Sequence, residues 1–247
     1  MMDAGNDDEA VVAWRGLPLE TRVSSSNWRV RVEAYAAVLK EAAGPPAAAA
    51  DSLLLRDFGA ATSKVAVDGN ANGLDSGLEA INAFLACAAA TDAWAAGAAP
   101  ALSAALVSKG LTARAKTAGR ALEALLLLVQ LDTADVVCDA LFKGLQGKLP
   151  KGVAACADAL LSALRAFGPR VVKPSPLLKA CGPLFDHKDG SVRDNAKEIA
   201  ARFLCLLGVS LTQPALYVEL TRWLGAAAVK RDLTSKMREA QQKEAWL

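Results

Sequence analysis

Helix starts recur along this chain at a nearly constant interval, and that interval restricts the fold more than any other feature. Residues suited to opening a helix fall at Asn27, Asn72, Thr112, Pro150 and Ser191, separated by 45, 40, 38 and 41 residues. Each start is preceded by another helical stretch, so the repeating unit is a helix pair of about forty residues. No sustained alternation of β-branched residues between hairpin turns competes with that reading. Alanine, the best helix former, is abundant and lets helices approach closely. A single pair cannot bury its apolar faces, so successive pairs must stack into an all-α solenoid with two loop edges.

The stretch from Asp186 to Phe203 is the clearest copy of a pair's second half. Gly190 interrupts the preceding structure, Ser191 is placed to cap a helix, and Asp194 completes a capping box. Val192, Ala196, Ile199, Ala200 and Phe203 then share one face. The first pair reads as Leu17 to Val23 and a helix from Trp28, with Val32, Tyr35, Ala36 and Leu39 inward and Gly44-Pro45-Pro46 as its end. The second joins 53–67 to 74–88 across the turn 68–72, with Leu78, Ile81 and Leu85 inward and Asn72 with Asp75 as the capped start. The third joins 98–108 to 113–131. The fourth joins 135–145 to 151–167, with Pro150 at a first helical position. The fifth joins 176–185 to 191–207, and 213–228 with 233–246 would close the array. The period is that of HEAT and armadillo repeats, giving about six repeats in one domain over 13–247 after a disordered leader over 1–12. The segment V-R-x-x-A occurs at Val30-Arg31…Ala34 and again at Val192-Arg193…Ala196.

A net charge of +2 gives the chain no general basic character suited to nucleic acid or membrane. Its distribution is uneven. From Lys109 to Lys179 there are eleven Lys or Arg against five acids, whereas the first twenty residues hold five acids and one base. A basic middle suits an acidic partner surface. Five cysteines, Cys87, Cys138, Cys156, Cys181 and Cys205, lie far apart without C-x-x-C spacing, which reads as buried thiols in a reducing compartment. The acidic N-terminus has no signal-peptide pattern, and 86–107 is too interrupted to span a membrane. A cytoplasmic protein is expected.

Catalytic inventory is thin. His187 is the one histidine, Gly147-Lys148 lacks the rest of a phosphate loop, and nothing has metal-ligand spacing. The chain reads as a non-enzyme without metal or cofactor. Basic groups instead recur at the turns joining the two helices of each pair: Lys64 with Val65, Lys109 with Arg114 and Lys116, Lys148 with Lys151, and Lys188 with Arg193. Trp28 stands at the first such turn. The turns on the opposite edge are mixed, with Asp132 and Asp135 at one and Arg170 and Lys173 at another. Each residue also has a plainer role. Trp28 can cover the end of the stack, Arg31 and Arg193 can serve in a loop-to-helix Asp–Arg ladder, and single lysines can simply be solvated. An aromatic with several cations on a rigid edge is nevertheless a typical binding inventory. A HEAT scaffold for some other acidic protein, bound on its concave face, and a HEAT-like DNA glycosylase are the rival readings.

The segments S-N-W-R-V-R, S-K-V-A-V-D-G-N-A-N with G-L-E-A, G-K-L-P-K-G-V-A-A-C and D-H-K-D-G-S-V-R-D-N-A-K resemble the TOG domain of microtubule polymerases, in order and spacing, over about residues 14 to 245. The initial methionine and short leader look most like the first domain of a multi-TOG array. The resemblance implies six HEAT repeats in a flat paddle that captures the αβ-tubulin heterodimer through its intra-repeat loops, as a monomeric domain of a protein acting at microtubule plus ends and spindle poles. It implies tubulin contacts from Trp28, from Lys64 and Val65, from Arg114 and Lys116, from Lys151 and from Arg193; the turn positions add Lys109 and Lys188. Two turns depart from the family pattern. The second is rich in small residues (Gly69, Ala71, Gly73), and Gly147-Lys148-Leu149 replaces a more polar turn.

Overall fold

The structure is a computed structural model that describes residues 14–168 and 171–206, excepting the side chains of 174, 175, 178 and 202–206. The expected leader, the sixth pair at 213–246, Arg170, and the side chains of Phe203 and Cys205 lie outside that description. Among the described residues there is no strand. The helices are α1 Leu19–Val23, α2 Trp28–Ala42, α3 Pro46–Asp51, α4 Leu53–Val65, α5 Ala71–Ala86, α6 Asp92–Ala105, α7 Ala115–Leu128, α8 Ala134–Leu145, α9 Pro150–Phe167, α10 Pro174–Cys181 and α11 Gly190–Leu206. The chain divides into two compact units, one running to Val137 and the other starting at Cys138.

In the first unit α2 packs on α5 and α5 on α7, while α1 packs on α4 and α4 on α6. This is the two-layer stack of helix pairs that the forty-residue period requires. Its core includes fully buried Tyr35, Phe58, Leu78, Ile81 and Phe84, with the Phe84 ring edge-on to Phe58 at 5.8 Å and to Trp94 at 4.8 Å. In the second unit α9 packs on α11, and the 3-10 turn Gly182–Asp186 packs on α10 and α11. Val192, Ala196, Ile199 and Ala200 are each 0% exposed, as their spacing predicts. Leu78, Ile81 and Leu85 are likewise buried.

Several helix starts differ from the sequence reading. Asn27 caps α2 and Pro150 opens α9 as expected, but α5 is capped by Asn70, whose Oδ1 accepts from Asn72 N and Gly73 N. Asn72 is therefore inside the helix, and Asp75 is turned to α7 instead. Asp189, not Ser191, holds the start of α11: its Oδ1 accepts from Ser191 N at 2.9 Å and Val192 N at 3.4 Å, and from the Ser191 hydroxyl at 2.6 Å. An aspartate offers a charged acceptor to the helix's free N–H groups and outcompetes the neighbouring hydroxyl. The α2 stripe is also shifted. Val30, Ala34, Tyr35 and Val38 are buried, while Ala36 is exposed, because α2 must face both α4 and α5. In the segment Val129–Thr133 that joins α7 to α8, Asp132 is left-handed (φ 56°), a conformation that aspartate tolerates.

Polar bridges tie successive second helices together. In the first unit Asn82 Nδ2 on α5 donates to the Arg120 carbonyl at 3.1 Å and to Glu123 at 2.6 Å on α7. In the second, Asn195 Nδ2 on α11 donates to the Ala154 carbonyl at 3.4 Å and to Asp158 at 2.7 Å on α9. An asparagine with one carbonyl and one carboxylate as acceptors thus recurs in both units. Cys138, Cys156 and Cys181 are buried, and burial pushes Cys156 up to about 11 and Cys181 up to about 12, so these thiols stay protonated and unreactive. Cys87 is half-buried.

Candidate protein-binding turns

The first turn of the first unit is built by an arginine reaching backward. From α2, Arg31 Nη1 donates to the carbonyls of Ser25 at 2.7 Å and Ser26 at 3.2 Å. Its Nε and Nη2 grip Asp68 at 2.7 and 2.6 Å, a bidentate pair that joins the first turn to the second. Burial pushes Asp68 upward, but Arg31, the Asn70 N–H and Tyr35 together hold its carboxyl below the usual range. Gly73 permits this arrangement, since a Cβ there would sit 2.5 Å from Asp68 Oδ2. Of the small residues of the second turn, Gly73 thus makes room for the ladder carboxylate, whereas a Cβ at Gly69 would meet nothing within 4 Å. Trp28, half-buried at the start of α2, lies under the Arg29 guanidinium at 5.7 Å. Lys64, exposed on α4, donates to Ser24 Oγ at 2.7 Å, which brings this lysine to the turn that carries Trp28.

Val65 is not available at this surface. It is 1% exposed, on the stripe Leu55–Phe58–Thr62–Val65, and its Cγ1 fills the space left by Gly77, whose added Cβ would meet it at 2.6 Å. Helical phase, legible in the sequence, already puts Val65 inside. The exposed aliphatic of this turn is Val67, at 42%.

At the third turn Lys109 and Arg114 line one cleft of about 290 Å³, floored by Leu74, Ala71 and Asp68. Arg114 occupies the N-cap position of α7 without capping it. Lys116 points elsewhere: it is exposed and lies 3.3 Å from Asp75, which also binds Arg120 Nη1 at 2.6 Å and accepts from the Thr117 hydroxyl at 3.0 Å. Burial raises the Asp75 carboxyl, and Thr117, Lys116 and Arg120 outweigh it and hold the group low.

The second unit has its own two turns. At the fourth pair Lys148 and Lys151 are exposed beside Leu149, which is 73% exposed at the N-cap position of α9. At the fifth, Arg193 Nη1 donates to the carbonyls of His187 at 2.6 Å and Lys188 at 3.0 Å, leaving the Lys188 side chain exposed at the tip. His187 Nδ1 accepts from Asp189 N at 3.1 Å, a turn-forming contact. The Nε and Nη2 edge of Arg193 meets no acceptor among the described residues.

No group of three or more His, Cys, Asp or Glu among the described residues could hold a metal, and no described helix is long and apolar enough to cross a membrane. The turns of the described residues offer a partner cations, a tryptophan and exposed aliphatics. Comparison with known proteins agrees with that architecture. The chain is 35% identical over 241 residues to Protein MOR1 of Arabidopsis thaliana, covering 96% of this chain and 11% of that protein. It is 30% identical over 223 residues to Protein mini spindles of Drosophila melanogaster, covering 87% and 9%. The chain thus spans about a tenth of these relatives. A solved chain from work on tubulin recruitment and assembly by microtubule polymerases with TOG domain arrays superimposes with a TM-score of 0.74 at 20% identity, over 92% of this chain and 50% of that one. The family model for the XMAP215/Dis1/CLASP TOG domain matches residues 13–245, and the chain belongs to that family.

Proposed function

We propose that residues 13–247 act as one monomeric module that captures the αβ-tubulin heterodimer through the turns joining the helices of each repeat. The observation that carries this reading is the first turn. Trp28 is held half-exposed beneath Arg29, with Lys64 tied to the same turn and the whole fixed by the Arg31–Asp68 pair. A rigid aromatic ringed by cations suits an acidic protein surface, with charge steering encounter and the ring anchoring it. The solved likeness drawn from work on tubulin recruitment supports tubulin as that surface. Lys109 and Arg114 in the third-turn cleft, Lys148 and Lys151 at the fourth turn, and Lys188 and Arg193 at the fifth add cations. Within a longer protein the module contributes to microtubule polymerisation at plus ends and the spindle, in the cytoplasm, without catalysis, metal or cofactor.

The test is size-exclusion chromatography with light scattering on purified domain and tubulin. One domain per heterodimer is expected. Two heterodimers per chain, or none at micromolar concentration, removes the reading. Duplex DNA binding is expected to be weak and lost by 200 mM salt; tight binding that survives it would favour a nucleic-acid partner instead.

A further inference from the structure

We infer that Leu149 is an apolar anchor of the second unit, seated in a recess on the partner with an acidic rim. The inference rests on the reading of these turns as the tubulin-binding surface. Leu149 is the most exposed of the large hydrophobic side chains among the described residues, at 73%, followed by Leu53 at 68%, Val67 at 42% and Leu17 at 41%. It stands at the tip of a turn between exposed Lys148 and Lys151, so an apolar group projects with cations on either side. Only a partner offering an apolar recess bordered by carboxylates complements that pattern. Val67 beside Lys64 repeats the combination in the first unit.

A second observation separates Leu149 from a chance exposed leucine. It occupies the N-cap position of α9 with no side-chain cap, as Pro18, Pro45 and Arg114 do at α1, α3 and α7, whereas Asn27, Ser52, Asn70 and Thr91 each accept a hydrogen bond from the helix they open. Leucine is among the poorest residues for this position, and asparagine among the best. Its backbone there is extended (φ −92°, ψ 115°), as a residue before proline must be, and asparagine adopts that conformation freely. The local structure thus gains no cap from leucine, and with 73% of the residue exposed it gains little packing. What remains is contact with a partner.

The test compares Leu149→Asn, Leu149→Met, Lys148→Ala and Trp28→Ala with the parent, measuring Tm and tubulin affinity at 50 and 200 mM salt. Leu149→Asn is expected to melt at or up to ~3 °C above the parent and to bind tubulin about tenfold more weakly at both salt concentrations, since burial of apolar surface is little screened. Leu149→Met should stay within about threefold of the parent. Lys148→Ala should weaken binding at 50 mM salt more than at 200 mM. If Leu149→Asn melts clearly below the parent, leucine is a packing residue and the inference fails. If it binds like the parent while Trp28→Ala weakens binding, the anchor fails and the function stands. If the parent itself does not bind tubulin, both fail together.

Discussion

The turns that precede α2 and α11 are made the same way and end differently. In each, a cap residue (Asn27, Asp189) is followed four positions later by an arginine whose Nη1 binds the two carbonyls before the cap. At Arg31 the rest of the guanidinium is consumed by Asp68 of the next turn, with side-chain exposures of 13% and 2% for the pair. At Arg193 the same edge has no acceptor among the described residues. One sequence motif, V-R-x-x-A, therefore supplies a closed internal ladder in one unit and, among the described residues, a turn clamp with one edge of its guanidinium unengaged in the other. The identity of the arginine sets the turn; what faces its second edge decides whether it also holds neighbours together.

Removing Arg31 should have the largest effect. Arg31→Ala leaves Asp68 buried without its counter-charge, which costs about 3 kcal/mol and should lower Tm by roughly 6–12 °C. A loss as small as that of Arg193→Ala would mean that the two turns are equivalent and the contrast empty. The first turn's own anchor comes next. Trp28→Ala should weaken tubulin binding by at least tenfold, a loss of ~2–4 kcal/mol, persisting at high salt with Tm little changed. A matching fall in Tm would make Trp28 a cover for the stack rather than a contact.

Arg193→Ala should lower Tm less than Arg31→Ala and still weaken tubulin binding by at least about tenfold, as expected for losing one partner of a desolvated charge pair. Unchanged binding with a lowered Tm would reduce Arg193 to a turn clamp. Acid should also distinguish the ladder. The Asp68 carboxyl is held below its ordinary 3.8 in the folded chain, so as pH falls below about 4 the unfolded chain takes up the proton first. Stability from this pair is fully present above that value and is lost as pH drops through the lower folded value. Arg31→Ala should flatten that part of the curve and Arg193→Ala should leave it, measured as Tm against pH from 5 to 2. The smallest expectation is Lys143→Ala, on the exposed face of α8, which should alter neither Tm nor binding measurably.

Chain order alone determined the helix-pair architecture, because a 3.6-residue apolar rhythm broken every forty residues by turn formers has no other way to bury its surface. Pro150 and Asn27 as helix openers, the Val192–Ala200 face and the basic turns all follow from local rules of that kind. Cap choice at α5 and α11 departs from the sequence reading: Asn70 holds the free N–H groups of Asn72 and Gly73, and Asp189 outcompetes the Ser191 hydroxyl as a charged acceptor. Val65, by contrast, follows the helical phase of Leu55, Phe58 and Thr62 into the core against Gly77 and leaves Val67 outside, a displacement of two residues that turns a surface contact into core. Tertiary structure alone sorted the cations. Arg31 and Lys116 are drawn to carboxylates some forty residues away in sequence, while Lys109 and Arg114 line one cleft. Sequence spacing records which residues can reach a turn; the field and sterics of the neighbouring repeat decide which of their donors remain free to meet a partner.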